Sequence, residues 1–181
     1  MAELQNIPVH SKEGDIHVVV ETPRGSAAKL EFDPDLGAFT LSKSLILGLS
    51  YPYDWGFIPS TEGEDGDPLD ALVLHDAATA PGLVLKCKII GVLEVQQREG
   101  GKRKIRNDRL IAVPRYSHRE KADNDARDLP KQVRDEIEKF FVATDELEDK
   151  QLKFLGWKGP SVGNRLIKRA AKQFKKKMKR T

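Results

Sequence analysis

The sequence predicts an α+β domain in which short strands close into a small barrel and two helices follow. Three observations carry this expectation. Short β-branched segments, each ended by turn residues, fill the first two-thirds of the chain. Apolar residues recur at helical spacing in the last third. The strands are too short and turn-punctuated to leave room for crossover helices between them, which argues for antiparallel pairing. Closing such a sheet into a barrel removes its exposed edges.

Taken in order, residues 16–21 are β-branched and stop at Thr22-Pro23-Arg24-Gly25-Ser26. Lys29-Leu30-Glu31-Phe32 alternates polar and apolar, then meets Asp33-Pro34-Asp35-Leu36-Gly37. Residues 71–74 form a brief apolar strand after an Asp/Gly/Pro turn. The run 83–95 is long, and its Gly91 marks a bulge or bend. Residues 110–113 form another short strand. Val133, Ile137, Phe140 and Phe141 then line one face of a helix, with Asp128 and Pro130 as its start signal. A second helix begins after Pro160-Ser161, with Leu166, Ile167, Ala170, Ala171, Phe174 and Met178 as its apolar stripe. Both stripes read as core contacts. The last third is expected to be helical throughout.

The 181 residues suit one domain spanning 1–181, long enough to bury a core without disulfides. The single cysteine, Cys87, excludes an internal disulfide and reads as an inert strand residue, which suits a reducing compartment. Residues 1–15 carry no basic patch followed by an apolar stretch, and no run approaches the roughly 20 residues of a membrane span. A cytoplasmic protein without membrane contact is expected. The net charge of +3 is too small to imply nucleic acid. The basic run at 168–180 and the cluster Lys102-Arg103-Lys104 with Arg106 read as a solvated helix face and an exposed loop. No nucleic-acid partner is expected.

The most informative segment is Glu62-Gly63-Glu64-Asp65-Gly66-Asp67-Pro68-Leu69-Asp70, which leads into an apolar strand. Gly66 and Pro68 hold three aspartates in a tight turn, where like charges repel. A hard divalent cation with oxygen ligands compensates that repulsion. Magnesium takes one or two protein carboxylates and shares the rest of its shell with water and substrate phosphates. A remaining carboxylate can then deprotonate the attacking water. A plain surface turn would use the same residue types. A calcium EF-hand loop fits poorly, because Asp70 falls where glycine is required and Asp76 where glutamate is.

At this segment the chain resembles the family I soluble inorganic pyrophosphatases, bacterial type. Their signature, Asp-x-Asp-Pro-apolar-Asp, is complete here as Asp65-Gly66-Asp67-Pro68-Leu69-Asp70. The resemblance extends through Val18-Val19-Val20-Glu21-Thr22-Pro23-Arg24-Gly25-Ser26, Lys29-Leu30-Glu31 and Tyr51-Pro52-Tyr53-Asp54-Trp55-Gly56-Phe57-Ile58-Pro59. It continues in Pro81-Gly82, Gly91-Val92, Arg109-Leu110-Ile111-Ala112-Val113-Pro114 and the Phe140-Phe141 helix.

The resemblance implies a closed five-stranded, OB-like barrel flanked by helices, and magnesium-dependent hydrolysis of pyrophosphate to two phosphates. It implies that Asp65 and Asp70 hold the first metal ions and that Asp67 is the catalytic base. Glu21 would hold a metal brought with substrate, and Glu31 would support the acidic side. Lys29, Lys43, Tyr51, Trp55 and Arg109 would face the substrate. A homo-oligomer is implied too, commonly a hexamer among bacterial members.

The departures from the family fall on the substrate side. Lys43 stands where the family has arginine, Trp55 where it has a second tyrosine, and Arg109 where it has lysine. Two further metal-binding aspartates align with Gln97 and Asn107, with Asp108 as the candidate replacement ligand. Asp108 would point to the opposite strand face from Arg109. The family's Tyr-Lys pair reads Thr144-Asp145. A hydrolase of another phosphoanhydride or of short polyphosphate is the alternative reading, and a non-enzymatic barrel binding module is a further one.

Overall fold

A computed structural model describes residues 4–99, 103–145 and 150–179. Lys102 of the expected basic loop, Arg180 of the basic tail and the first three residues lie outside them. Among the described residues nine strands and two α-helices follow in chain order: β1 (Ile16–Thr22), β2 (Ala28–Asp33), β3 (Ala38–Ser44), β4 (Asp54–Ile58), β5 (Leu69–Val73), β6 (Val84–Glu99), β7 (Ile105–Arg106), β8 (Arg109–Pro114), α1 (Lys131–Asp145), β9 (Lys150–Lys158) and α2 (Pro160–Met178).

Five strands form a ring in the order β1-β4-β5-β8-β6, closed by pairing of β6 with β1. The expected barrel is present, but its pairing is not antiparallel throughout. β5 and β8 run parallel, Leu72 opposite Ile111. A parallel neighbour needs a crossover, and here the long β6 supplies it in place of a helix. It runs antiparallel to both β1 and β8. Gly91 is where β6 bends: the β6–β8 register shifts between Ile89 and Gly91. A side chain there would lie 2.4 Å from the Lys158 carbonyl oxygen and 2.5 Å from the Ala126 methyl carbon.

The last third is not wholly helical. Lys150–Lys158 forms β9, paired antiparallel with the outer half of β6. Its Leu152 and Phe154 face a core while Gln151, Lys153 and Leu155 are exposed, a period of two. The start of α1 also differs from expectation. Asp128 belongs to a preceding 3-10 turn, Ala126–Asp128, whose capping residue is Asp125. The helix begins at Lys131, just after Pro130.

Alternate residues of the ring strands enter two cores. Leu72, Leu93, Ile111 and Val113 pack with Ile137, Phe140 and Phe141 of α1. Ala71, Val73, Leu110 and Ala112 pack with Ile167 and Ala170 of α2. The strands are thus covered on both faces, which explains their continuous apolar runs. Cys87 is buried in the second core, and burial pushes its thiol above the ordinary value.

The β2–β3 hairpin is a separate sheet laid against β1. The Thr22 hydroxyl donates to the Leu30 carbonyl at 3.0 Å and accepts from the Leu30 N–H at 2.9 Å. The Glu21 carboxylate accepts from the Phe32 N–H at 2.9 Å. These bonds fix the hairpin lysines against the barrel.

Candidate active site

The acidic turn connects β4 to β5, and backbone bonds define its shape. The Gly63 N–H donates to the Asp67 carbonyl at 2.7 Å, and the Asp65 carboxylate accepts from the Asp67 N–H at 3.3 Å. Gly66 has φ 95°, a left-handed conformation that glycine adopts without strain. The buried Thr61 hydroxyl accepts from the Leu69 N–H at 3.0 Å, and the Glu62 N–H donates to the Ala170 carbonyl of α2 at 3.2 Å. The turn is therefore tied to the body at both ends.

A cavity of about 720 Å³ opens beside this turn. Its walls bring together Glu21 of β1, Lys29, Glu31 and Lys43 of the hairpin, Tyr51, Trp55 of β4, Asp65 and Asp67 of the turn, Asp70 of β5 and Arg109 of β8. These residues come from widely separated segments of the chain. Asp108 is not among them. It faces away and forms a two-pronged pair with Arg106, at 2.8 Å to each carboxylate oxygen, while accepting from the Val95 N–H at 2.9 Å. Asn107 is the residue that faces the cavity at this point, and its side-chain amide donates to Gln97 at 3.2 Å.

Burial dominates the acids. Burial pushes Asp70 up to about 6; Arg109 and Lys29 oppose the shift, and Asp65 and Asp67 add to it. Burial likewise raises Glu21 to about 8, against the Phe32 N–H. Asp65 is raised by burial as well. Glu31 behaves differently. Burial, the largest single influence, disfavours its charge, but the hydrogen bond and charge of Lys29, with Ser42 and Lys150, together outweigh it and hold it below the ordinary value. Lys29 is held above its ordinary value by Glu31, Asp70 and Glu21, despite burial.

All these acidic groups offer oxygen ligands, and burial holds Glu21 and Asp70 above the ordinary carboxylate range. That chemistry fits a hard divalent ion. Among the described residues no three carboxylate, imidazole or thiol groups are drawn into a ready-made cage. The carboxylates ring the space instead, which suits an ion that completes its shell with water and phosphate.

The opposite wall is cationic and aromatic. Arg109 is buried, with its guanidinium 4.4 Å above the Phe141 ring and 5.6 Å from Trp55. It donates to the Asn107 carbonyl at 2.8 Å, while its Nε–H is buried without a partner among the described residues. An anionic ligand would satisfy that donor. Trp55 packs edge-on to Phe141 at 5.4 Å, and Tyr51 to Phe140 at 4.9 Å. Lys43 donates to the Thr144 carbonyl at 2.7 Å and lies 3.5 Å from the Asp145 carboxylate. Asp145 is buried at the end of α1.

Sequence reasoning placed Phe141 in the core alone and did not single out Lys150. Phe141 is also the ring beneath Arg109, and Lys150 lines the cavity where its charge helps hold Glu31 low. Lys150 opens β9, whose period-two signal in the sequence is weak.

A cavity with carboxylates on one side and cations on the other, cut into a closed barrel, suits an enzyme that acts on a small polyanion with a metal's help. The comparisons agree. The sequence pattern of the inorganic pyrophosphatase family matches residues 18–175. The inorganic pyrophosphatase of Synechocystis is 39% identical over 173 residues, covering 96% of this chain and 99% of that protein. The inorganic pyrophosphatase of Thermus thermophilus is 41% identical over 162 residues, covering 87% and 90%. The crystal structure of inorganic pyrophosphatase from that organism superposes with a TM-score of 0.87 and 36% identity, over 96% of this chain and 99% of the other. The chain belongs to the inorganic pyrophosphatase family, in its bacterial form.

Proposed function

We propose that this chain, as a single domain, hydrolyses inorganic pyrophosphate to two phosphates with magnesium as its metal. The observation that carries the reading is the convergence of the Asp65, Asp67 and Asp70 carboxylates with Lys29 and Arg109 on one cavity. Asp65 and Asp70 would hold the first ions, Glu21 an ion arriving with substrate, and Glu31 would steady Lys29. Bound magnesium supplies charge neutralisation of the phosphates and a lowered pKa for water. Asp67 takes the proton as a water oxygen attacks one phosphorus. The bridging P–O bond breaks, and the second phosphate leaves with the bridging oxygen. Arg109, fixed on Phe141, and Lys29 stabilise charge on the phosphate oxygens. Trp55 and Tyr51 wall the cavity against water.

Lys43 bears on substrate choice. Its engagement with the end of α1 leaves one cation of the cavity partly neutralised, which favours testing a short polyphosphate beside pyrophosphate. Among the described residues no helix is long and apolar enough to cross a membrane, which accords with the proposal of a cytoplasmic enzyme. Exposed Leu36, Leu41 and Leu47 are apolar surface that the proposed homo-oligomer, a hexamer, would cover; sedimentation velocity reads the assembly directly.

The deciding experiment measures phosphate release from pyrophosphate, tripolyphosphate and a nucleoside triphosphate. Release from pyrophosphate should vanish in excess chelator and return with magnesium. Activity that survives exhaustive chelation would sink the metal assignment.

A further inference from the structure

The helix α2 carries seven basic residues and no acidic one between Pro160 and Met178. A solvated face is the ordinary reading of such a run. The structure adds that these charges are sorted by direction. Arg169 and Lys177 turn toward the acidic turn of the cavity, with ion pairs to Glu64 at 3.9 Å and Glu62 at 3.5 Å. Lys168, Lys172, Lys175, Lys176 and Lys179 follow a spacing of i, i+4, i+7, i+8 and i+11, which places them on one side. All five are exposed, and none forms an ion pair among the described residues.

The remaining face of α2 is used up. Gly163, Ile167 and Ala170 are buried against the barrel, and Phe174 is half-buried. A helix that lies in a membrane surface needs its apolar side available, and this one has turned that side inward. Binding single strands needs aromatic rings beside the cations for bases to stack on. Phe174 is the aromatic residue of α2, and it is half-buried rather than displayed beside the lysines. What the lysine row offers is a line of mobile positive charge along roughly 16 Å, at about 1.5 Å per residue. Its complement is a rigid, regularly spaced row of phosphates, which a nucleic-acid duplex presents at about one charge per 1.7 Å of axis.

We propose that the exposed lysine row of α2 binds the phosphate backbone of double-stranded nucleic acid without regard to sequence. On the functional reading given above, this holds a pyrophosphate-consuming site close to nucleotidyl transfer, the class of reaction that releases pyrophosphate as a nucleic-acid chain grows.

The test is fluorescence anisotropy of the full chain with two labelled duplexes of unrelated sequence. Equal affinities are expected. If about four lysines engage, the log–log salt slope should be near −4, and affinity should fall by on the order of 100-fold or more between about 50 mM and about 200 mM salt. A variant combining Lys168→Gln, Lys172→Gln, Lys175→Gln and Lys176→Gln should lose at least about tenfold in duplex affinity at low salt, where each lost contact removes counterion release. Its circular dichroism and its pyrophosphate hydrolysis should match the parent, because none of these lysines lines the cavity. Absence of duplex binding at low salt, or equal binding by the variant, overturns the proposal. So does binding to phosphatidylserine vesicles in preference to duplex. Loss of hydrolysis in the parent with intact duplex binding would count against the enzymatic reading alone.

Discussion

Asp67 and Asp70 sit three residues apart and differ in surroundings. Asp70 lies in β5, raised by burial, whereas Asp67 is exposed on the turn. Asp67→Asn should lower turnover by on the order of 100-fold or more with metal affinity largely spared, the range of a general base. Asp70→Asn should weaken metal binding directly. Identical metal titrations and rates in the two variants would refute this division of labour. The substrate side yields a second residue-scale prediction. Asp145 is buried and paired with Lys43, not turned to solvent. Asp145→Lys should therefore tighten pyrophosphate binding by removing local negative charge, and Asn107→Asp should tighten one magnesium ion. The effect at half-buried Asn107 should shrink as salt rises, and that at buried Asp145 should shrink less. Steady-state constants measured across magnesium and salt concentrations check this, and unchanged constants would show that these positions do not touch the ligands.

At the scale of elements, the cavity depends on how closely β1 and β4 approach. A side chain built at Gly56 would lie 1.9 Å from the Val19 carbonyl oxygen, which is backbone and cannot swing aside. Gly56 lies between Trp55 and Phe57, both cavity-lining. Gly56→Ala should destabilise the protein by about 1–3 kcal/mol or more, the ordinary cost of overpacking. Urea unfolding measures it, and an unchanged midpoint would mean the strands part without cost. Much of the element order was legible in sequence: the alternation of β2, the bend at Gly91 and the Ile137/Phe140/Phe141 face. β9 was not, because nine residues with three lysines and a glycine among the apolar ones give a weak period-two signal beside two helices. The parallel pair β5–β8 was not legible either, since strand direction follows from where a long neighbour sends the chain.

For the whole molecule, the cavity makes stability depend on pH and metal together. Glu21 moves from an ordinary 4.5 to about 8, and Asp70 from 3.8 to about 6. The folded, metal-free protein thus binds more protons than the unfolded chain between those values. The stability that these two groups contribute is fully present below their unfolded values and is lost as pH rises through the folded ones. The metal-free protein should become less stable from about pH 5 to about pH 8, and magnesium should stabilise it more at the upper end. Thermal midpoints with chelator and with magnesium at both pH values decide it. A metal-free midpoint that rises across this window would contradict the assignment.

By itself the sequence determined the family, the barrel-plus-helices class and many of the residues that line the cavity, though not Lys150 and with Asp108 wrongly included, because Asp65-Gly66-Asp67-Pro68-Leu69-Asp70 and its flanking segments are local patterns that survive without coordinates. Tertiary structure decided facing and pairing. Two adjacent residues, Asn107 and Asp108, part company because one turns to the cavity and the other closes on Arg106. Lys43 meets Asp145 although 102 positions separate them in the chain. Such contacts are set by which strands lie side by side, and composition and local spacing carry no record of that.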